Sequence, residues 1–380
     1  MIALPDNEPV LISTQEQFND LIAAINSEPV LAVDTESNSL FAYQEQVCLL
    51  QIATPAQDYL IDPLSVPDIS PLSTIFANPK QQKIFHAGEY DLICLKRDYG
   101  FKFVNLFDTM IAARILGEPQ VGLGSLLETY FGITVDKRFQ RANWGTRPLT
   151  GPMLDYARMD THYLFALKSR FEEQLKQQEL WELAKEDFAI LCSIEPPSIE
   201  PNGKSCWKIC GSTRINGRQA AILQSLCIYR DQQARKMDLP HFKVFSNAFL
   251  VDLCQDPPHS LEELSKRRGA TERMLKRHGA NLLKAIQQGE ECPPLNRQPR
   301  SRPNEQYVTR LEKLKEWRKL KAKDLKVESD VVIPKDIMEK IAALNPRNKG
   351  DLHAIMQNTP WRFRHYGDFI LKELSKSEEL

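Results

Sequence analysis

Two proline-rich breaks constrain this chain more than any other feature. The first runs from Cys192 to Gly203 and holds Pro196, Pro197 and Pro201; the second runs from Gly289 to Pro303 and holds Pro293, Pro294, Pro299 and Pro303. Proline lacks an amide proton and fixes φ, so neither stretch can continue a helix or join the interior of a sheet. The 380 residues therefore divide into segments of about 190, 90 and 80. We read a first domain over residues 1–192, a connecting segment over 193–212, a second domain over 213–290, a linker over 291–303 and a third domain over 304–376. The first can bury a sizeable core; the other two suit small helical modules that are marginal alone.

Composition narrows the class. Hydrophobic residues make up 42% and charged residues 26%, which excludes a collagen, a wholly disordered chain and a disulfide miniprotein. No run of about 18 apolar residues exists, so no membrane span is expected. Met1-Ile2-Ala3-Leu4-Pro5-Asp6 lacks the basic start and apolar core of an export signal. The eight cysteines, sparse over this length, read as reduced thiols of a cytoplasmic protein. Cys206 and Cys210 are four apart. Zinc is the sharper reading, but no second Cys or His pair stands near them, and a pair on one helix face is preferred.

Charge is polarised. Residues 1–192 carry 15 Lys and Arg against 26 Asp and Glu, whereas residues 193–380 carry 34 against 24. Acidic clusters hold metal ions and basic surfaces hold phosphate backbones, so two jobs are expected; scattered surface charge is the plain alternative.

In the first segment, Pro29–Asp34, Val47–Ile52, Asp58–Ile61 and Lys83–Phe85 read as strands. Asp108–Leu116, Leu123–Phe131 and Met153–Leu175 read as amphipathic helices. Strands followed by interleaved helices indicate an α/β mixed sheet flanked by helices. The last two segments share a skeleton: an apolar stretch (Leu239–Leu250; Val331–Met338), a short helix (Ser260–Leu264; Gly350–Leu352), then Arg277-His278-Gly279 or Arg364-His365-Tyr366-Gly367 opening a final helix. This reads as an internal duplication.

The densest chemical signal is Asp34-Thr35-Glu36 at the end of a buried strand. Residues i and i+2 of a strand share a face, so both carboxylates point the same way. Alone, such a pair is more often a solvated turn. Asp91 follows the strand at Ile84-Phe85, and Tyr156 and Asp160, four apart, share one helical face. Each of these elements presents a carboxylate with no basic partner close in sequence. Gathered at one site they would repel unless divalent cations lay between them. Hard oxygen donors favour Mg²⁺ or Mn²⁺ over zinc. Two such ions about 4 Å apart can clamp the attacking and leaving oxygens of a phosphodiester, and a tyrosine hydroxyl beside them could orient the attacking water.

Asp34-Thr35-Glu36, Asp91 and Tyr156-x-x-x-Asp160 resemble the three exonuclease motifs of the DEDD superfamily in its tyrosine branch, and most closely the ribonuclease D family. Phe85-His86-Ala87-Gly88, Phe107-Asp108-Thr109, Asp136-Lys137 and Trp144–Thr150 extend the likeness over nearly all of residues 10–192. Residues 213–290 resemble an HRDC domain, and 304–376 resemble a second, weaker copy. The resemblance implies a ribonuclease H-like mixed sheet flanked by helices, followed by two small all-α modules. It implies a hydrolase: a metal-dependent 3′–5′ exoribonuclease releasing nucleoside 5′-monophosphates from the single-stranded 3′ end of RNA, such as precursor tRNA. Asp34, Glu36, Asp91 and Asp160 would hold two Mg²⁺ or Mn²⁺ ions, and Tyr156 would position the nucleophilic water. Thr35, Leu40, His86 and Arg147 are the candidates for substrate contact. Core packing competes for Leu40, and a structural hydrogen bond competes for His86. His162 follows Asp160, whereas the histidine branch places its histidine before that aspartate, so the tyrosine assignment stands. A monomer without membrane attachment is expected.

Gly203-Lys204-Ser205 resembles the end of a phosphate loop, but Ser198 stands where the first glycine is needed. Residues 295–326 hold 11 Lys and Arg against 4 Asp and Glu, interleaved with Tyr307 and Trp317. A second basic run covers Lys266, Arg267, Arg268, Arg273, Lys276 and Arg277. Both read as surfaces tracking RNA phosphates, with a solvated helix face as the alternative. The spacing of Trp317 with Leu311 and Leu314 assigns that ring to a core. A 3′–5′ DNA exonuclease is the competing enzyme reading. An inactive RNA-binding scaffold is the non-enzyme reading, and it is disfavoured because every acidic motif position is present.

Overall fold

A computed structural model describes residues 8–197, 204–295 and 304–375. The chain forms two compact units, one from residues 1–37, 47–196 and 302–380, the other from 38–46 and 197–301. Linker residues 198–203 and 296–303 lie outside the described residues, and with them Ser198 and Gly203 of the dismissed phosphate-loop motif and Arg297, Arg300 and Arg302 of the basic segment.

The first unit is built on a six-stranded mixed sheet: β1 (Val10–Ile12), β2 (Val30–Ser37), β3 (Val47–Ala53), β4 (Asp58–Ile61), β5 (Gln82–Phe85) and β6 (Leu106–Asp108), in the order β1-β4-β3-β2-β5-β6. β3 runs antiparallel to β2 and β4; β1 with β4, β2 with β5, and β5 with β6 are parallel. The helices are α1 (Gln15–Ile25), α2 (Leu72–Phe76), α3 (Glu89–Tyr99), α4 (Thr109–Leu116), α5 (Leu123–Phe131), α6 (Gly151–His162), α7 (Leu164–Gln177) and α8 (Trp181–Cys192). The expected mixed sheet with helical flanks is present. β1 and β6 were not expected; at three residues each they are too short to carry an alternation signal.

Strand alternation sorts β2 between two cores. Leu31 and Val33 pack with α1 and α3 on one side, and Ala32 packs with α4, α7 and α8 on the other. The same parity carries Asp34 and Glu36 to the Ala32 side and Thr35 to the α3 side. The helix expected over Met153–Leu175 is two helices meeting at Tyr163. Their buried faces serve different cores: Met153, Tyr156 and Ala157 pack on β3 and β4, whereas Leu164, Leu167, Phe171 and Leu175 pack with α4 and β6. One straight amphipathic stripe cannot do both.

The second unit holds a 3₁₀ turn (Lys204–Cys210), α9 (Gly217–Met237), α10 (His241–Val244), α11 (Asn247–Gln255), α12 (Leu261–Ser265) and α13 (Glu272–Glu291). Cys210, Cys227 and Cys254 pack among Ile222, Leu226 and Leu250 in its core, with Cys206 against them. Residues 38–46 are seated on α9 and α10. Tyr43 Oη donates to Asp231 Oδ1 at 2.8 Å, the Tyr43 amide donates to Asp238 Oδ1 at 3.0 Å, and the Lys243 ammonium lies 4.0 Å from the Phe41 ring centroid.

Back in the first unit stand α14 (Glu305–Leu325), α15 (Ser329–Val332), α16 (Lys335–Leu344), α17 (Lys349–Ile355) and α18 (Pro360–Ser375). The glycine of the duplicated Arg-His motif does not open its helix. Gly279 lies within α13, where a Cβ would come within 2.7 Å of the Leu261 side chain, so it is a packing glycine. Arg362, on α18, is fully buried: Nη1 and Nη2 donate to Asp187 at 2.7 and 2.9 Å, Nη1 to Glu186 at 3.2 Å, and Nη2 to the Val331 carbonyl at 2.9 Å. The Trp361 amide also donates to Glu186. This network bolts α18 to α8. Among the described residues no helix is long and apolar enough to cross a membrane.

Candidate active site

The end of β2 opens into a cavity of about 390 Å³ lined by Asp34, Glu36, His86, Lys137, Tyr156 and Asp160, among others. β2 supplies the first two carboxylates on one face. α6 supplies Tyr156 and Asp160 one turn apart. α6 is held in place by Asp58 at the start of β4, whose buried carboxylate takes Arg158 Nη2 at 2.9 Å and lies 3.0 Å from His162 Nδ1. His162 is thus occupied outside the cavity.

Asp91 comes from the opposite side of the sheet, in the first turn of α3. Its approach is set by the turn before that helix. A Cβ on Gly88 would lie 2.6 Å from the Phe85 side chain, so only glycine fits there. Asp108 fixes the same turn, accepting from the Gly88 amide at 2.8 Å and the Ala87 amide at 3.3 Å while capping α4 through Met110 and Ile111. Thr35 Oγ1 donates to Asp91 Oδ1. Thr35 is therefore a support for Asp91, and its hydroxyl proton is not offered to substrate.

Electrostatics tie the four acids into one group. Burial raises the Asp34 carboxyl well above the ordinary range, and Asp91, Asp160 and Glu36 raise it further. Burial, then Asp160 and Asp91, pushes Glu36 to about 9. Burial and Asp91 push Asp160 to about 7. Asp91 rises to about 6, chiefly by burial, with the Thr35 hydroxyl opposing. The largest influences on each of the four are burial, other acids and hydrogen bonds to Thr35 and the backbone. Tyr156 is 9% exposed, and burial together with Asp160, Glu36 and Asp34 holds its phenol proton tightly.

Among the described residues, no three His, Cys, Asp or Glu side chains stand close enough together to hold a metal ion as they are. Asp34, Glu36 and Asp160 line one cavity and Asp91 acts on all three, but the four do not form a closed coordination shell. Repulsion between ionised carboxylates opposes such closure, and cations between them reverse the sign of that interaction. The donors are all hard oxygens, the set that suits Mg²⁺ or Mn²⁺.

Raised carboxyl pKa values have a definite linkage. Unfolded, these groups lose their protons near pH 4; folded and metal-free, they keep them to about 6, 7 and 9. The stability they contribute is complete below the ordinary carboxylate range and is lost as the pH rises through those values. In chelator the Tm is expected to fall from pH 5 to pH 9, with Mn²⁺ restoring more of it at the alkaline end. A metal-free Tm that is flat over this window would show that the carboxyls are not coupled.

The other expected contacts fare differently. His86 lines the cavity, with Nδ1 2.8 Å from Thr109 Oγ1. That hydroxyl donates to the Phe85 carbonyl at 3.2 Å, so His86 donates from Nδ1 and leaves Nε2 as an acceptor. Burial lowers its pKa to about 4, which keeps the ring neutral. Arg147 is a correction. Nε and Nη2 grip Asp62 at 2.7 and 2.6 Å, and Nη1 and Nη2 serve the carbonyls of Trp144, Thr146 and Cys48. All five donors are spent on holding the 144–147 turn to β3 and β4. Leu40 is 39% exposed on the 38–46 segment of the other unit. Residues 122–125, Lys137 and Gln140 complete the cavity wall. Lys137 was visible in the Asp136-Lys137 motif; the wall at Gly122, Leu123, Gly124 and Ser125 read only as the start of an amphipathic helix.

Residues 9–176 match the 3′–5′ exonuclease family, and residues 219–286 and 309–374 match the HRDC domain. The chain therefore carries a 3′–5′ exonuclease domain followed by a pair of HRDC domains. Within that class it is similar to ribonuclease D. It shares 26% identity over 289 residues with ribonuclease D of Gluconacetobacter diazotrophicus, covering 75% of this chain and 73% of that one. The structure of Escherichia coli RNase D, described as an exoribonuclease involved in structured RNA processing, superposes with a TM-score of 0.70 at 25% identity, over 93% of this chain and all of that one. The exosome complex component 10 homolog of Caenorhabditis elegans is 34% identical over 290 residues, 75% of this chain. The chain spans about a third of that relative's length. The exonuclease family is generally dependent on divalent metal.

Proposed function

We propose that the protein is a hydrolase of the ribonuclease D type: a 3′–5′ exoribonuclease that releases nucleoside 5′-monophosphates from single-stranded RNA 3′ ends, acts in tRNA 3′ processing, and works as a cytoplasmic monomer. The observation that carries this reading is the set of four acids with raised carboxyl pKa values, three of them lining a cavity that also holds Tyr156 and the fourth, Asp91, raising those three. Asp34, Glu36, Asp91 and Asp160 would hold two divalent cations, Mg²⁺ or Mn²⁺. Bound there, the pair supplies Lewis-acid activation of water and charge neutralisation on the departing oxygen.

The chain's own residues do the rest. Thr35 holds Asp91 and Asp108 holds the turn before it, so that acid is already oriented. Tyr156 keeps its proton at the pH of the reaction and acts as a neutral hydrogen-bonding group that aligns the attacking water. His86 Nε2, a neutral acceptor, suits a sugar hydroxyl. RNA and DNA oligomers of one sequence, digested with Mn²⁺, test the substrate class: faster loss of the RNA 3′ end supports the reading, and preferential digestion of DNA rejects it.

The basic helix α14 supports a sequence-independent RNA surface, though fewer of its charges serve than the sequence suggests. Arg310 donates to the Ala342 carbonyl and Arg318 to the Ile333 carbonyl, while Trp317 packs between Tyr366 and Phe369. Lys319 and Lys323 remain exposed. Replacing both with glutamine is expected to reduce the slope of log affinity against log salt by about 1.4 for single-stranded RNA, with kcat unchanged. An unaltered slope removes α14 from the binding surface.

A further inference from the structure

Strand β3 is buried along its whole length, and one of its residues, Gln51, carries an amide. Gln51 is fully buried, and both its Nε2 and its Oε1 lie buried without a hydrogen-bond partner among the described residues. A side-chain amide brings two donors and an acceptor, and burying them unmet opposes folding. An apolar side chain of the same length would fill this place without that penalty. An amide kept here calls for a partner that arrives after folding.

The strand register supplies one. In the antiparallel pairing of β2 with β3, Ala32 stands opposite Ala53 and Asp34 opposite Gln51. Ala32 and Ala53 share one core, so Asp34 and Gln51, two residues along each strand, leave the sheet on that same face. Directly opposed residues hold their Cβ atoms about 4.5–5.5 Å apart. A carboxylate one bond beyond Cβ and an amide two bonds beyond it can meet across that gap by side-chain rotation alone. Glu36, the other acid of β2, stands opposite Leu49, which offers no hydrogen bond. On its far side Gln51 is opposed by Leu60 of β4, which packs with Tyr156 and Ala157. Asp34 lines the active-site cavity and Gln51 does not.

We infer that Gln51 is a positioning residue for Asp34: its Nε2 donates to one carboxylate oxygen of Asp34 and so fixes the other toward the cavity. The inference rests on the reading of the four acids as ligands of divalent cations. As they stand, these acids do not form a closed shell. Drawing them together is the movement that gives the amide its partner, and the amide in turn holds Asp34 in the orientation that binds. Gln51 acts through Asp34 and touches neither cation nor substrate.

Gln51→Met in the full chain keeps the length of the side chain and removes both polar atoms. Two measurements read it. The signal of free Mn²⁺ in electron paramagnetic resonance, followed through a titration, gives the affinity, which is expected to fall about 10-fold to 100-fold. In chelator the Tm should equal or exceed that of the native chain, because the unmet amide is gone. An amide that merely supported the sheet would do the reverse, lowering the metal-free Tm and leaving Mn²⁺ affinity as it was. Gln51→Leu repeats both measurements with another shape, so a packing defect peculiar to methionine shows as a difference between the two variants. Asp34→Asn separates this inference from the reading beneath it. If Asp34→Asn weakens Mn²⁺ binding and neither Gln51 variant does, the positioning role is overturned and the metal reading stands. If Asp34→Asn leaves the affinity unchanged, the metal reading fails and takes the inference with it. A metal-free Tm lowered in both Gln51 variants also overturns it.

Discussion

Asp34→Asn is expected to lower the rate of RNA 3′-end hydrolysis by about 10³-fold, the equivalent of about 4 kcal/mol of transition-state stabilisation, while RNA affinity changes little. The substitution keeps the size and shape of the side chain and removes one formal charge from the group of four. Metal affinity should fall with it. Its effect on folding has the opposite sign. Asp34 is raised by burial and by three neighbouring acids, so a neutral amide relieves repulsion, and the metal-free Tm should hold or rise. A dead enzyme that folds at least as well as the native chain cannot be explained by unfolding. Asp160→Asn should behave in the same way. Near-native turnover in both variants would remove these acids from the reaction.

Arg362→Met should give the largest loss of stability of any single surface-preserving change, about 3–5 kcal/mol in urea unfolding. The guanidinium is fully buried and bidentate to Asp187, with Glu186 beside it. Removing the cation leaves two acids in an environment poor in water, which is far costlier than never having placed a pair there. The paired change Arg362→Met with Asp187→Leu should therefore recover much of the loss, although it deletes the ion pair completely. If the single variant loses less than about 1 kcal/mol, the contact between α18 and α8 does not depend on this network.

The site was legible where chemistry follows a short-range rule. Alternation along β2 places Asp34 and Glu36 together, and one helical turn places Tyr156 with Asp160. The supporting residues were not legible, because their partners are distant in sequence. Thr35 reads as a substrate contact until Asp91 arrives from the far side of the sheet to take its hydroxyl. Arg147 reads as a substrate contact until Asp62 and three carbonyls consume it. Asp108 reads as the start of a helix, which it caps, but not as the clamp on Gly88. Buried and exposed arginines also look alike in a string of letters: Arg310, Arg318 and Arg362 sit in basic surroundings yet face inward, while Lys319 and Lys323 face solvent. The same limit hid the association of the last HRDC domain with the nuclease, since nothing local in sequence announces that Arg362 will find Asp187.

Residues 38–46 belong to the helical unit although β2 and β3, which flank them, belong to the nuclease sheet. This interlacing has a consequence during synthesis. Tyr43 leaves the ribosome long before Asp231, its hydrogen-bond partner on α9, has been made. At roughly 5–20 residues per second, that delay is on the order of ten to forty seconds. Throughout it the sheet can close and its acids can meet, while the tip of its central hairpin waits for a scaffold still to be translated. The nuclease therefore cannot reach its finished form in a simple front-to-back order, and a ribosome stalled ahead of α9 would release a catalytic half with an unanchored loop immediately beside Asp34 and Glu36.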